Sequence, residues 1–407
     1  MTDRLAHPSP VDRAPLGPVF VATFAAGVAI GSGIPLVPLA LEARGIPPLV
    51  IGVNSAMWGI GLVCAGPLIP RWAARLGPVV AIWLALAASA IIQVSFAFTS
   101  SLPLWFLLRF AQGIATGTPW LISEIWINVA VAEERRGRAL ATYSALIAAG
   151  LAAGPLVLQV VGVQGPAPFL ACAALSIAVG LPFIPVRRRA PDIGPEPGGS
   201  VWAIGRAAPV ALIAALVAGL GETVAFIFLP VYAVGIGVSP ETAVLWQTAF
   251  VAGNIVLQPP IGWLADHLDR AAVMTGCALV SGTAGLLLPL AGSSPWTVWP
   301  LLVAWGGAAF GIYTVGLALL GQRFAGGDIA RANAAFVIVY TVGSVVGPPL
   351  SGGAMQFLGR NGLGASLAGF YAAAGGAGLI AVARARRSKS AAGDSGPRDV
   401  EARTMGP

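Results

Sequence analysis

Residues 137–156, GRALATYSALIAAGLAAGPL, have a weak echo in residues 330–350, ARANAAFVIVYTVGSVVGPPL. Each has an arginine at its second position, continues as a mostly apolar run and reaches a Gly-x-x-x-Gly-Pro sequence: Gly150, Gly154 and Pro155 in one, Gly343, Gly347 and Pro348 in the other. A run of about 20 apolar residues is the length that crosses a bilayer as a helix. The offset between the two is 193–194 residues. PLVPLALEARGIPP at 35–48 aligns with IFLPVYAVGIGVSP at 227–240 at an offset of 192, and GPLIPRWAAR at 66–75 with GWLADHLDR at 262–270 at about 196. A nearly constant offset across three separated segments marks two parallel halves. Such repeats place a central site between them.

The composition agrees. Of 407 residues, 57% are hydrophobic and 10% are Asp, Glu, Lys or Arg, against about 25% charged in a soluble domain. The mean hydropathy is +0.83. So few charges cannot cover a water-facing surface of this size, which excludes a soluble enzyme, a secreted domain or a nucleic-acid-binding module. Twelve apolar segments run near 17–41, 48–70, 78–98, 103–131, 138–162, 167–186, 207–234, 241–264, 271–291, 296–320, 331–355 and 362–383. They are expected to be helices, because a spanning backbone must satisfy its own hydrogen bonds. The first segment carries no cleavage pattern and is expected to remain.

With these spans, 20 of the 23 Lys and Arg residues fall on one side. Arg44 and Arg360 fall on the other, and Arg109 lies inside a span. The positive-inside rule then puts both termini in the cytoplasm. It also accounts for the formal charge of +7 without a nucleic-acid ligand. The expected organisation is a cytoplasmic segment 1–16, a six-helix bundle 17–186, a Pro- and Gly-rich cytoplasmic linker 187–206, a second six-helix bundle 207–383 and a basic tail 384–407. The tail, with RARRSK beside the last span, either attracts anionic lipid or is disordered. With only His7 and His267, no histidine metal cluster is available, and Cys64, Cys172 and Cys277 read as small buried hydrophobes. No metal or other cofactor is expected.

The six-plus-six repeat, the glycine-led loop after the second span of each half and RFAQG in the fourth span resemble the major facilitator superfamily. PWLISE, RGRALATY, PIGWLADHLDR and YTVGSVVGP are similar to its bacterial YcaD-like branch. The resemblance covers about residues 17–383. It implies an all-α fold of two six-helix bundles and a secondary transporter working by alternating access.

The family's loop after the second span reads Gly-x-x-x-Asp-Arg-x-Gly-Arg. Gly262, Asp266 and Arg270 keep that frame; Gly66, Arg71 and Arg75 keep part of it, with Pro70 in place of the acid and Ala73 of the glycine. The resemblance implies a gate latch here, in which an acid acts at a neighbouring helix N-terminus. The plainer reading makes Arg71 and Arg75 positive-inside anchors. The first Gly-Pro sequence resembles the family's antiporter motif, though Leu158 and Gln159 replace its trailing glycines; close helix packing through small residues explains it equally.

Arg109 lies about two turns into the fourth span. At about 100° per residue, Gln112, Thr116, Trp120, Ser123 and Glu124 fall near it on one polar stripe. The resemblance makes Arg109 a proton-coupling or gating arginine; the alternative is a static hydrogen-bonded seam. Glu124, roughly 22 Å further along the helix, cannot reach Arg109. It is placed to pair with Arg71 or Arg75 at the cytoplasmic gate, or else to carry a proton. Glu222 in GLGETVAFIFLP stands mid-span without a neighbouring base in sequence. Intramembrane acids of this kind are functional by default, so it is either a proton carrier or a protonated structural donor. Asn54, Trp58, Gln93, Gln112, Trp120, Trp246, Gln247, Asn254, Gln258 and Tyr340 form a Trp- and amide-rich set. They read as the lining of a site for a moderately apolar small molecule, or as interhelical glue.

The function these residues favour is a proton-coupled inner-membrane transporter of a small organic solute, with efflux by antiport slightly preferred. Its expected partners are the solute, protons and membrane lipid, with no nucleic acid and a monomeric state. A membrane-embedded enzyme or lipid-handling protein is the other class. It lacks support from paired carboxylates, a nucleophile elbow or a phosphate loop.

Overall fold

The computed structural model describes residues 16–131, 133–187, 201–292, 294–324, 327–359 and 361–394. The N-terminal segment, most of the linker, Arg360 and the tail beyond 394 lie outside them. Among the described residues the regular structure is entirely helical. The first half contains α1 (Leu16–Glu42), α2 (Pro48–Ala65), α3 (Ile69–Leu76), α4 (Pro78–Phe98), α5 (Leu102–Ala130), α6 (Glu133–Val161) and α7 (Ala167–Gly180), the last prolonged by a 3₁₀ turn to Phe183. The second half contains α8 (Val201–Ala207), α9 (Pro209–Gly235), α10 (Pro240–His267), α11 (Arg270–Ala291), α12 (Pro295–Gly321), α13 (Gly327–Leu358) and α14 (Asn361–Asp394).

Proline marks the starts. It occupies one of the first two positions of α2, α3, α4, α5, α7, α9, α10 and α12. There its missing N–H costs nothing, since a first-turn amide has no intrahelical acceptor. Ser239 and Asp269 add side-chain caps, accepting from Thr242 N at 3.3 Å and Ala272 N at 2.9 Å. Among the described residues, nine helices are long and apolar enough to cross a membrane. The 29-residue α5 and the 28-residue α10 have the length but carry most of the intramembrane amides and charges. With the shorter α7 they complete twelve spans.

The predicted second span, 48–70, divides. Gly66 and Pro67 end α2, and the amphipathic α3 follows, burying Ile69 and Ala73 while Arg71, Trp72, Arg75 and Leu76 stay exposed. The last helix continues past the expected end at 383 to Asp394, so the start of the tail is helical. Cys64 faces outward, whereas Cys172 and Cys277 are buried as expected.

The two halves pack alike. In the first, α1 lies on α6, α2 on α5 and α4 on α7; in the second, α9 lies on α13, α10 on α12 and α11 on α14. Glycine permits the closest of these contacts. A methyl group on Gly154 would sit 2.5 Å from the Gly31 carbonyl carbon, and one on Gly343 would collide with Leu216 O. Both Gly-Pro sequences therefore bring α6 and α13 against the first long helix of their own halves. The exterior is apolar: Trp296 is 91% exposed, Phe357 80% and Trp263 60%. Patches on that scale belong in lipid.

The halves are joined at one end. One apolar core takes Leu36, Leu41, Ile51, Phe96, Trp105 and Leu158 from the first half, and Phe228, Trp246, Phe250, Trp305 and Tyr371 from the second. These first-half residues lie at the helix ends away from the 187–206 linker. Here Gln247 Nε2 donates to Gly31 O at 3.3 Å, Thr248 Oγ1 to Ala152 O at 3.0 Å, and Gln159 Nε2 to Glu241 O. Gly52 and Gly352 meet Pro348 and Pro48 across the same junction. At the linker face each half has its own core: Ile69, Ile82, Ile122, Trp126 and Phe183 in the first, Leu212, Leu320, Ala332 and Phe336 in the second.

Candidate functional site

In the first half α2 and α4 pack against α5. Gly61 and Gly113 let α2 and α5 approach backbone to backbone, since a methyl on either would collide with Phe110 O or Trp58 O. That approach brings Trp58 Nε1 within 2.9 Å of Thr116 Oγ1, to which it donates; Thr116 in turn donates to Gln112 O at 2.8 Å. One turn away, Arg109 Nη1 donates to Gln112 Oε1 at 2.9 Å. Arg109 is 4% exposed.

Trp58, Arg109, Gln112 and Thr116 line a narrow cavity. Gln93 and Ser89 reach it from α4, Ser176 from α7 and Gly33 from α1. Ser89 and Ser176 lie within hydrogen-bond distance, 3.2 Å. A second cavity toward the linker face continues past Thr116 to Trp120, Ser123 and Tyr143. Most of the stripe predicted on α5 thus lines one path through the first half. Glu124 is exposed at its linker end and contributes to neither cavity.

The second half holds a buried carboxyl, Glu222. Gly219 admits the α13 backbone at Tyr340, and Gly221 admits the Tyr371 ring. Tyr340 Oη then donates to Glu222 Oε2 at 2.9 Å, while Glu222 Oε1 has no hydrogen-bond partner among the described residues. Tyr313 stacks edge-on against Tyr340 with centroids 5.3 Å apart, and Trp305 Nε1 donates to Tyr371 Oη at 3.2 Å. Glu222 therefore sits in a cage of aromatic side chains from α12, α13 and α14.

The remaining predicted residues are dispersed. Asn54 is buried in α2 with neither amide atom paired among the described residues. Trp246 is in the core that joins the halves. Gln258 accepts from Thr314 at 2.8 Å, and Asn254 is half-buried on the same helix. Arg270 lies 4.0 Å from the exposed Asp266, a separation at which a surface pair contributes little. Its firmer bond runs from Nη1 to Ala318 O at 2.7 Å, at the end of α12. Ser89, Ser176, Tyr313 and Tyr371 were not expected from the sequence. Each is an isolated polar or aromatic residue in an apolar run, and only packing brings it to a site.

A multi-pass helical membrane protein built from two repeated bundles, with a buried ionisable side chain in each, has the architecture of a membrane transporter. The model of the Major Facilitator Superfamily matches residues 19–209 and 211–404, and the chain belongs to that family. Its relatives include the MFS-type transporter YfkF of Bacillus subtilis, 25% identical over 342 residues that cover 81% of this chain and 86% of the relative. They also include YcaD of Escherichia coli, 25% identical over 327 residues covering 79% and 84%. These relatives are transporters rather than enzymes. Among solved structures, the nucleoside transporter NupG superposes with a TM-score of 0.72 at 15% identity, covering 90% of this chain and 98% of NupG. A bacterial homologue of the human lysosomal transporter Spinster, in an inward-facing and occupied conformation, gives 0.74 at 16%, covering 93% and 98%. At these identities the structural likeness concerns the fold.

Proposed function

We propose that this chain is a secondary active transporter that moves a small organic solute across the inner membrane by alternating access, driven by protons, with outward antiport the favoured direction. One observation carries the reading. Two halves of like construction share a core at one end and have separate cores at the linker face. Rocking about that junction would close the linker face and open the other, so a site between or beside the halves meets each side in turn. The 20-to-2 charge bias supports a cytoplasmic linker face and cytoplasmic termini. On that orientation the present conformation opens inward.

Glu222 is assigned the proton. It is the intramembrane carboxyl, and the groups facing it are the phenols of Tyr340 and Tyr371, with Tyr313 behind Tyr340. Arg109 shapes the field across the other half. Trp58, Gln112 and Trp120 are assigned to solute binding on the first-half path, and Asn54, Trp246, Asn254, Gln258 and Tyr340 as further contacts during the cycle. Arg71, Arg75, Glu124, Asp266 and Arg270 form the linker-face gate, with Glu124 meeting Arg71 or Arg75 when that face is closed. The chain acts as a monomer, and the basic tail holds anionic lipid.

Proteoliposomes test the function. Under an imposed pH gradient, purified protein should move a solute from a screened panel against its own gradient, and a protonophore should abolish that movement. Solute flux indifferent to the pH gradient would contradict proton coupling.

A further inference from the structure

The cavity in the first half contains a cation, and among the described residues that line it there is no carboxylate. Arg109 lines it, is 4% exposed and leaves Nε without an acceptor among the described residues. Burying a guanidinium without a carboxylate is costly, and the neighbouring amide oxygen of Gln112 answers only one of its five N–H groups. Gln93 lines the same cavity and has a second unpartnered buried atom, Oε1. Gly33 leaves room for that amide, for a methyl there would lie 3.2 Å from Gln93 Nε2. The hydroxyls of Ser89 and Ser176 add further polar groups, and Ile30, Leu86 and Trp58 make the remaining wall apolar.

We infer that this cavity receives an organic monoanion whose carboxylate pairs with the Arg109 fork and whose apolar body lies against Trp58 and Ile30. The geometry of a planar guanidinium matches a carboxylate in two parallel hydrogen bonds. One cation balances one charge. A dianion would leave a charge unbalanced against apolar walls, and a cationic solute would meet like charge. The inference rests on the transport reading and names its substrate class.

Phenylacetate, phenylacetamide, phenethylamine and phenylmalonate share one ring and differ in charge. Their binding to the purified full chain in detergent is measured by titration calorimetry. Phenylacetate should bind at least about tenfold more tightly than each of the other three. Arg109→Gln should remove that preference, and Arg109→Lys, which keeps charge but loses the fork, should retain it in weakened form. The wild-type ranking needs no variant to fold. Equal or tighter binding of the amide, amine or dianion, no binding of phenylacetate, or an unchanged preference in Arg109→Gln would each overturn the assignment. Proteoliposome counterflow separates the two claims. Carboxylate binding without counterflow would reject transport and leave the site, whereas counterflow of a neutral or cationic solute unaffected by Arg109→Gln would reject the site and leave transport.

Discussion

Glu222 has one carboxyl oxygen held and the other unpartnered: Oε2 accepts from Tyr340, and Oε1 has no donor among the described residues. A carboxyl fixed in this way can keep its position while its proton comes and goes. Glu222→Gln preserves the shape and the acceptor for Tyr340 but cannot release a proton. It should abolish uphill transport under a pH gradient and leave solute exchange largely intact. If the variant drives uphill transport at the wild-type rate with unchanged pH dependence, Glu222 is structural. The legibility of these residues follows their spacing. Arg109, Gln112, Thr116 and Trp120 could be read together because one helix carries them at helical intervals. Ser89, Gln93 and Ser176 come from α4 and α7, and no local pattern links them to Arg109. Trp246, an indole in an amide-rich helix, lies in this conformation in the core between the halves.

Elements were legible where the chemistry of a break is simple. Proline at helix starts and the linker's Pro and Gly mark the boundaries. The second span was harder, because Ile69 and Leu68 continue its apolar run beyond Gly66 and Pro67; the turn those two make separates α3 from α2. The extent of α14 was hidden for the opposite reason, since RARRSKSAAGD is polar but has no helix breaker before its glycine. Helix pairing rests on glycines whose Cα lies against a neighbouring backbone. Gly154→Val would force α6 from α1, where even one methyl meets Gly31 at 2.5 Å. Overpacking of this kind costs about 1–3 kcal/mol, so the variant should melt at a lower temperature in detergent. Gly276→Ala, whose added methyl would meet nothing within 4 Å, should leave the melting temperature unchanged or raised. Equal melting of the two variants would show that the α1–α6 approach does not determine stability.

At the scale of the whole molecule, the repeat could be read from offsets of 192 to about 196 residues, and the helix pairings of one half recur in the other. The conformation could not be read. A symmetric repeat is compatible with opening at either face, and the choice depends on small differences in contact between halves. On this reading the two halves rock about the shared core, with proton binding at Glu222 setting the balance. Spin labels at Ser144 and Ala334, both exposed near the linker ends of α6 and α13, report one face; labels at Ala43 and Gly235, exposed at the opposite face, report the other. Electron–electron distances measured in lipid, in mildly acidic and mildly alkaline buffer, should each show two populations. The linker-face pair should shorten as the opposite pair lengthens, and Glu222→Gln should hold both distributions fixed against pH. Single, pH-independent distances at both faces of the otherwise wild-type protein would rule out rocking governed by Glu222.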